Sequence, residues 1–223
     1  MSATEAVKPT KSIAIGAHLL REDIVPPAEA VPVGELFLSV LPVAEAQATG
    51  DRELLVRVAG VRAGLLDVAT FIAVRYGFTF TSAEEALAKT AAFLPLWKRL
   101  LQANRGNVEM SLKVAASSPT PRPHRGDFAG GGAYLRALHA ATQAANVDPA
   151  FREAAETLLV SLSVRHRWLH RDEKSVELTL LVPREQVGAV LAAGNELRRS
   201  APHVPFLLSG PWPLEMFADD DHE

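Results

Sequence analysis

The sequence contains no cysteine and carries little net charge, and both absences exclude classes of function. Without cysteine there is no disulfide framework, no thiolate nucleophile and no thiolate metal site. The 23 Lys and Arg residues against 26 Asp and Glu residues give a formal net charge of -3. The protein as a whole therefore does not attract phosphate, and nucleic acid or an anionic membrane would require a local basic patch. We expect neither nucleic acid nor a membrane as a partner.

Long apolar runs are also absent. No stretch approaches the roughly 18 uninterrupted apolar residues of a membrane-spanning helix, and the Ala- and Leu-rich region after Gly60 is interrupted by Arg62, Asp67 and Arg75. Residues 1–11 are polar and lack the apolar segment that a secretory signal needs. We therefore predict a cytoplasmic protein with flexible tails at residues 1–11 and 218–223.

What is present is the composition of an ordinary folded protein. Hydrophobic residues make up 48% of the chain and charged residues 22%, a balance that excludes extensive disorder. The length of 223 residues suits one large domain or two small ones.

The first half predicts a mixed α+β arrangement. Three apolar or β-rich runs indicate strands, namely residues 12–19, 34–41 and 70–76. Apolar residues at helical spacing predict a helix over residues 51–67 with Asp51 as its N-cap. Ser82 and Glu85 form a capping box, which opens a second helix that extends to about residue 104 with a kink at Pro95.

The second half predicts the order β-α-β-β-α-β, in which two helices cover one face of a four-stranded antiparallel sheet, as in ferredoxin-like domains. Strict apolar alternation within residues 107–116 indicates a half-buried strand. The other strands are predicted at residues 164–171, 175–182 and 204–208, the first two joined as a hairpin. Helices are predicted over residues 133–145 and 185–200, and a helical segment opened by Asp148 and Pro149 either follows the first of these or continues it across a bend.

Five segments in the same order resemble one protein family. The most specific is Gly210-Pro211-Trp212-Pro213 after the last apolar strand. The others are Ala73-Val74-Arg75-Tyr76-Gly77, residues 107–114, residues 132–135 and Val182-Pro183-Arg184-Glu185. Together they resemble the gas vesicle protein F/L family, whose members end in an apolar strand that runs into Gly-Pro-Trp-Pro.

The resemblance implies an α+β fold of two domains. Residues 12–105 would be the N-terminal α+β domain and residues 106–217 the ferredoxin-like domain. The family's members are accessory proteins of gas vesicle assembly that bind the small hydrophobic shell protein and act in nucleating or growing the vesicle wall. The resemblance thus implies a chaperone-like or nucleating role at the vesicle, with the shell protein and other accessory proteins as partners, and neither catalysis nor a cofactor. The alternative is a stand-alone ferredoxin-like regulatory or RNA-binding module.

Four residues are candidates for partner binding: Arg75, Tyr76, Trp212 and Pro213. Prolines on both sides of Trp212 restrict the backbone, so the indole is held in one place at low entropic cost. We expect the indole to pack on the sheet as a lid first and to contact a partner second, because Trp is also common among interface hot spots. Arg75 interrupts an apolar strand and requires either a salt bridge between domains or a partner.

Other motifs fail on geometry or completeness. Arg165 to Arg171 alternate so that His166, Trp168 and His170 share one strand face, a basic and aromatic pattern that is typical of nucleic-acid surfaces. The strand at residues 107–116 nevertheless offers no Phe or Tyr for base stacking. His166 and His170 would lie about 13 Å apart on a strand, too far to share a metal.

Gly130-Gly131-Gly132 lacks the Lys-Ser/Thr of a phosphate loop and predicts a flexible loop. No Gly-x-Ser-x-Gly elbow occurs, and we predict no catalytic, cofactor or metal site.

Overall fold

The protein, seen in a computed structural model, forms two compact units. The structure describes residues 11–43, 51–117, 122–143, 146–172, 174–215 and 217. The first unit contains the chain up to Asn107 and again from Trp212 onwards, and the second runs from Val108 to Pro211. Each unit combines a sheet with helices, so the α+β class is confirmed. The domain bounds of 12–105 and 106–217 stay a prediction. The predicted tails lie outside the described residues, apart from Lys11, which begins a strand.

In the part of the chain that the structure describes, the sheet of the first unit contains five strands: β1 (Lys11–His18), β2 (Glu29–Val33), β3 (Leu36–Val43), β4 (Ile72–Ala73) and β5 (Thr79–Phe80). Their order is β2-β3-β1-β4, with β5 also paired to β1, and every pairing is antiparallel. The sequence pattern does not indicate β2, because Pro32 and Glu29 interrupt its apolar residues. The strand forms nevertheless, because β2 lies at the edge of the sheet, where proline is tolerated. The strand predicted at 70–76 is wrong beyond Ile72 and Ala73, because the chain turns there.

Among the described residues of this unit, the α-helices are α1 (Arg52–Val68), α2 (Ala83–Thr90) and α3 (Leu94–Ala103). The predicted caps are confirmed, since Asp51 accepts from the N–H of Glu53 at 2.9 Å and Ser82 accepts from the N–H of Glu85 at 3.2 Å. Hydrogen bonds from Lys89 and Thr81 lower the pKa of Glu85 to about 2. The single helix kinked at Pro95 is wrong: α2 ends at Thr90, and Pro95 sits in the first turn of α3, where its missing N–H costs nothing.

The core of the first unit forms where α1 packs on the sheet. Its buried residues form one cluster, which we call the α1 cluster. It contains Leu54, Val58, Val61 and Leu65 of α1, Ile13 and Ile15 of β1, Leu41 and Val43 of β3, and Phe71 just before β4. Leu38 and Val40 of β3 are also fully buried. Both faces of β3 are thus covered, which explains its near-continuous apolar sequence.

The sheet of the second unit contains β6 (Asn107–Ala115), β7 (Arg165–Asp172), β8 (Ser175–Pro183) and β9 (Phe206–Trp212), in the order β7-β8-β6-β9. β7 and β8 form the predicted antiparallel hairpin. The N–H of Ala115 donates to the carbonyl of Pro205, and the hydroxyl of Ser209 donates to the carbonyl of Ser111. Residue numbers therefore increase along β6 in the direction in which they decrease along β9, so these two strands are antiparallel. This antiparallel order confirms the ferredoxin-like arrangement.

The helices of the second unit are α4 (Gly131–Gln143), α5 (Pro149–Leu159) and α6 (Val187–Ser200). α5 is a helix in its own right, because Asp148 caps it by accepting from the N–H of Phe151 at 2.9 Å. The last two residues of the helix predicted over 133–145 lie outside the described residues. The flexible loop predicted at Gly130-Gly131-Gly132 is wrong for Gly131 and Gly132, which form the first turn of α4.

α5 and α6 share one face of this sheet and build its core. The buried cluster takes alternate residues from β6 (Met110, Leu112, Val114) and β8 (Val176, Leu178, Leu180, Val182), with Phe151, Ala155 and Leu159 of α5 and Val190 and Leu197 of α6. The alternation seen in the sequence of β6 therefore marks the face that the helices cover.

In the ranges that the structure describes, no helix is both long enough and apolar enough to cross a bilayer.

Candidate partner-binding surfaces

Arg75 and Tyr76 lie in a tight turn after β4. The N–H of Phe78 donates to the carbonyl of Arg75 at 3.2 Å, and Gly77 has a φ of 88°, the left-handed value that the third position of such a turn requires. The carbonyl of Phe78 then accepts from the N–H of Ala14 at 2.9 Å. Backbone hydrogen bonds therefore fasten the turn to β1.

The two side chains of this turn have different environments. Arg75 is exposed, so its charge is solvated and requires no buried partner; the salt bridge between domains stays a prediction. Tyr76 packs its ring against the α1 cluster, and its hydroxyl is buried without a hydrogen-bond partner among the described residues. Arg75 is thus available to a partner, whereas Tyr76 mainly anchors the turn.

A second arginine, Arg62 of α1, supports the segment just before the turn. Its Nη2 donates to the carbonyl of Val74 at 2.5 Å, and its Nε is buried without a partner among the described residues. Burial lowers the pKa of the Arg62 guanidinium, and the negative charge of Glu215 raises it part of the way back. Sequence analysis did not single out Arg62, because a helical arginine normally points into solvent.

Trp212 is the last residue of β9, and its position differs from the prediction. The strand expected to end at residue 208 continues through Pro211 to Trp212, because β9 lies at the edge of the sheet and proline is tolerated there. The side chain of Trp212 is 47% exposed. The expectation of a buried lid is therefore wrong, and the indole presents about half of its surface to solvent.

The backbone of β9 requires a glycine at position 210, both for its conformation and for the space beside it. Its φ of 123° is one that side-chain-bearing residues rarely adopt, and a Cβ at this position would lie 2.7 Å from Sδ of Met110 and 3.0 Å from the carbonyl oxygen of Glu109. The glycine thus lets β9 lie close against β6 before the chain reaches Trp212.

The buried anchors of this motif come after the tryptophan. Pro213 is half-buried, and the N–H of Leu214 donates to the carbonyl of Phe71 at 3.0 Å, forming a parallel bridge between Leu214 and Ile72. Leu214 and Phe217 are each 2% exposed. These two apolar side chains perform the packing role that the sequence reading assigned to Trp212.

The four candidate residues do not form one cluster. In the parallel bridge, Trp212 and Pro213 precede Leu214, whereas Arg75 and Tyr76 follow Ile72. The two pairs therefore lie on opposite sides of the bridge.

Ser39 and His18 form a buried pair that superficially resembles part of a hydrolase site. Oγ of Ser39 lies 2.9 Å from Nε2 of His18, and Nδ1 of His18 lies 2.7 Å from the carbonyl oxygen of Leu20. Because Nδ1 must donate to that carbonyl, Nε2 accepts from the serine hydroxyl. Both residues are 0% exposed, and a carbonyl rather than a carboxylate orients the ring. The pair thus links β1 to β3 and is closed to any substrate.

Trp168, the aromatic residue in the basic segment of β7, contacts helix α5 of its own unit. The indole Nε1 of Trp168 donates to Glu156 of α5 at 3.0 Å, and the guanidinium of Arg152 lies 4.9 Å from the ring centroid. Trp168 is therefore engaged within the unit, and Arg152 lies over a face of the ring that base stacking would use. Across the described part of the chain, no three His, Asp or Glu side chains converge as a metal site would require.

Comparison with known proteins adds a family to this geometry. The family model described as "Gas vesicle synthesis protein GvpL/GvpF" matches residues 25–218. The crystal structure of gas vesicle protein GvpF from Microcystis aeruginosa is similar with a TM-score of 0.62 at 12% identity, covering 94% of this chain and 99% of that chain. That of GvpF from Anabaena sp. PCC7120 has a TM-score of 0.64 at 13% identity, covering 95% and 97%. No curated protein sequence matches the chain. At these identities the crystal structures show a shared fold.

Proposed function

The chain belongs to the GvpL/GvpF family of gas vesicle synthesis proteins, and from this premise we propose that it is an accessory protein of vesicle assembly that binds the hydrophobic shell protein. In this role it holds the shell subunit in solution and delivers it to the growing wall, in a chaperone-like or nucleating manner. The role requires protein binding and needs neither catalysis nor a cofactor. We place it in the cytoplasm, at the gas vesicle, with other accessory proteins as further partners.

The observation that carries the proposal is the half-exposed indole of Trp212. Trp is among the residues most enriched in interface hot spots, because one side chain buries a large apolar area on binding. Pro211 and Pro213 restrict the backbone on either side, and Leu214 is bonded to Phe71 two residues later. The indole is therefore held in place before any partner arrives, which lowers the entropic cost of binding.

Arg75 provides a second, polar contact. It is exposed on a turn whose backbone is fixed to β1, so the guanidinium projects from a rigid base. Because Arg75 and Trp212 lie on opposite sides of the bridge at Leu214, we treat them as separate contacts with separate tests.

Aggregation of the shell protein is the direct test. The shell protein is diluted from denaturant into buffer with and without the purified chain, and light scattering is followed. We expect the wild-type chain to suppress scattering in proportion to its concentration, whereas an unrelated protein of similar size and charge does not. Suppression no better than that of the unrelated protein would overturn the proposal.

Variants of β9 then test the part played by Trp212. Trp212→Ala should suppress scattering less than the wild type. Leu207→Ala is the matched control, because Leu207 lies on the same strand and is 62% exposed, yet is not held by flanking prolines. Equal losses in both variants would mean that Trp212 contributes only general hydrophobicity.

A further inference from the structure

Arg62 places a guanidinium on the partly buried side of α1, where a charged side chain is costly. It directly follows the buried Val61, and its Nε is buried without a hydrogen-bond partner among the described residues. Burial lowers the pKa of this guanidinium, which means that the environment disfavours its charge. An apolar side chain of similar length would avoid that cost. Residues that break a local packing rule in this way are expected at functional sites.

The guanidinium of Arg62 holds the residue that leads into the turn of Arg75. Its Nη2 donates to the carbonyl of Val74 at 2.5 Å, and Val74 is 4% exposed, so water cannot readily replace that donor. The N–H of Val74 donates in turn to the carbonyl of Ile15 of β1 at 3.1 Å. Both polar groups of the Val74 backbone are therefore bonded, one to α1 and the other to β1.

A fixed carbonyl at Val74 also fixes the direction in which the side chain of Arg75 leaves the backbone. The peptide bond is planar, so a bond that holds the oxygen of Val74 also holds the nitrogen of Arg75 in the same plane. At the far end of the turn, the carbonyl of Phe78 accepts from the N–H of Ala14 of β1. The exposed Arg75 is thus held by a side chain at the entry to its turn and by the sheet at the exit.

The segment after β9 supports the same guanidinium. The negative charge of Glu215 raises the pKa of Arg62, in opposition to burial. The neighbouring Leu214 donates its N–H to the carbonyl of Phe71, which brings this segment beside β4. Arg62 therefore interacts with two distant parts of the chain, and its guanidinium remains a charged donor.

We propose that Arg62 is a positioning residue for partner binding: through its hydrogen bond to Val74 it orients the turn that presents Arg75 to the shell protein. The inference rests on the proposed function, in which Arg75 is the polar contact. Arg62 does not touch the partner, and its effect passes through Arg75. A contact that is ordered in advance lowers the cost of binding. Removal of Arg62 should therefore weaken binding only while Arg75 is present.

A double-mutant cycle on Arg62 and Arg75 is the direct test. The measured quantity is the concentration of the chain that halves the light scattering of the shell protein. Arg75→Ala should raise it about tenfold or more, as for loss of a hot spot. Arg62→Met should raise it about two- to tenfold, the range expected for the ordering of one side chain. In the double variant, Arg62→Met should add nothing to the effect of Arg75→Ala.

Three further variants serve as controls. Arg62→Lys keeps a charged donor and should restore most of the activity that Arg62→Met loses. Arg57→Met is the matched control, because Arg57 is exposed on the same helix, and it should act as the wild type does. Arg62→Gln repeats the cycle with a shorter, polar side chain in case Arg62→Met does not fold, as judged by circular dichroism.

Hydrogen exchange gives a readout that does not involve the shell protein. In Arg62→Met the amides of Val74 and Phe78 should exchange about tenfold faster than in the wild type, as expected for loss of a hydrogen bond to a charged group. The amides of Met110 and Leu112 on β6 should keep their rates. A general loss of stability would instead speed exchange along all of α1 and β1.

The outcomes separate this inference from the proposed function. If the two substitutions are additive, or if Arg62→Met changes neither the exchange of the turn nor the scattering, then Arg62 does not act through Arg75 and the inference is overturned. Suppression of scattering by the wild type would still support the proposed function in that case. If the wild type does not suppress scattering, the proposed function falls and the role of Arg62 in partner binding falls with it. Faster exchange of the turn would then assign Arg62 a structural role alone.

Discussion

The Gly16→Ala substitution should destabilise the first unit, because it forces a methyl group into a filled core. Gly16 lies on β1 between β3 and β4, beside the bulge that follows Ala14. A Cβ at this position would lie 2.4 Å from Cδ2 and 3.0 Å from Cε2 of Phe71. The Phe71 ring is 1% exposed within the α1 cluster, so it has little room to move.

The expected magnitude follows from two opposing effects. Overpacking a core typically costs about 1–3 kcal/mol. Replacing glycine by alanine reduces the entropy of the unfolded chain and returns about 0.4–1 kcal/mol. We therefore expect a net loss of about 1–2 kcal/mol. For a chain of this length each kcal/mol lowers the melting temperature by about 2–4 °C, which predicts a fall of about 2–8 °C.

Gly60→Ala is the matched control, because the same substitution meets open space. Gly60 is exposed inside α1, and a Cβ there would have no neighbour within 4 Å. Alanine in a helix interior is favoured over glycine by about 0.5–1 kcal/mol. The same chemical change should thus stabilise the protein at residue 60 and destabilise it at residue 16.

Urea unfolding followed by circular dichroism measures both effects. The double variant Gly16→Ala/Phe71→Leu should lose less stability than the sum of its single variants, because the smaller side chain relieves the collision. If Gly16→Ala equals the wild type in stability, or if the double variant is strictly additive, then the collision with Phe71 does not determine the cost and the reasoning fails.

Three further predictions use the same measurements. Leu214→Ala should cost about 2–5 kcal/mol, because its side chain is buried, and a cost below that of an exposed leucine would contradict the anchoring role. Trp212→Ala should cost about 2 kcal/mol or less, since half of the indole is exposed. A cost near the roughly 3–5 kcal/mol of a fully buried Trp would instead support the interpretation that the indole packs on the sheet as a buried lid. Burial lowers the pKa of His18 in the folded state, and this effect is larger than the opposite effects of the hydrogen bond to the carbonyl of Leu20 and the negative charge of Asp23, which raise the pKa. The unfolded state therefore binds the proton more readily, so stability should fall as the pH drops below about 6.5, and His18→Gln should abolish that component.

Local sequence determined the elements whose signals do not depend on the rest of the chain. The caps at Asp51, Ser82 and Asp148 form as the sequence predicts, because each side chain bonds a backbone N–H two or three residues away. The alternation along β6 likewise predicts its buried face, because a strand turns every second side chain to the same side. The order of these elements was sufficient to indicate a ferredoxin-like sheet.

Tertiary packing decided which apolar residues are buried. Trp212 and Leu214 are both apolar and two residues apart, yet one is half exposed and the other buried, because only Leu214 pairs with Ile72 from a distant part of the chain. Residues 91–97 are all uncharged and mostly apolar, yet Phe93 is 51% exposed, and Leu100 and Leu101 take the buried positions of α3. Hydrophobicity shows that a side chain favours burial, whereas the available partners, set by contacts between residues far apart in sequence, decide whether it is buried.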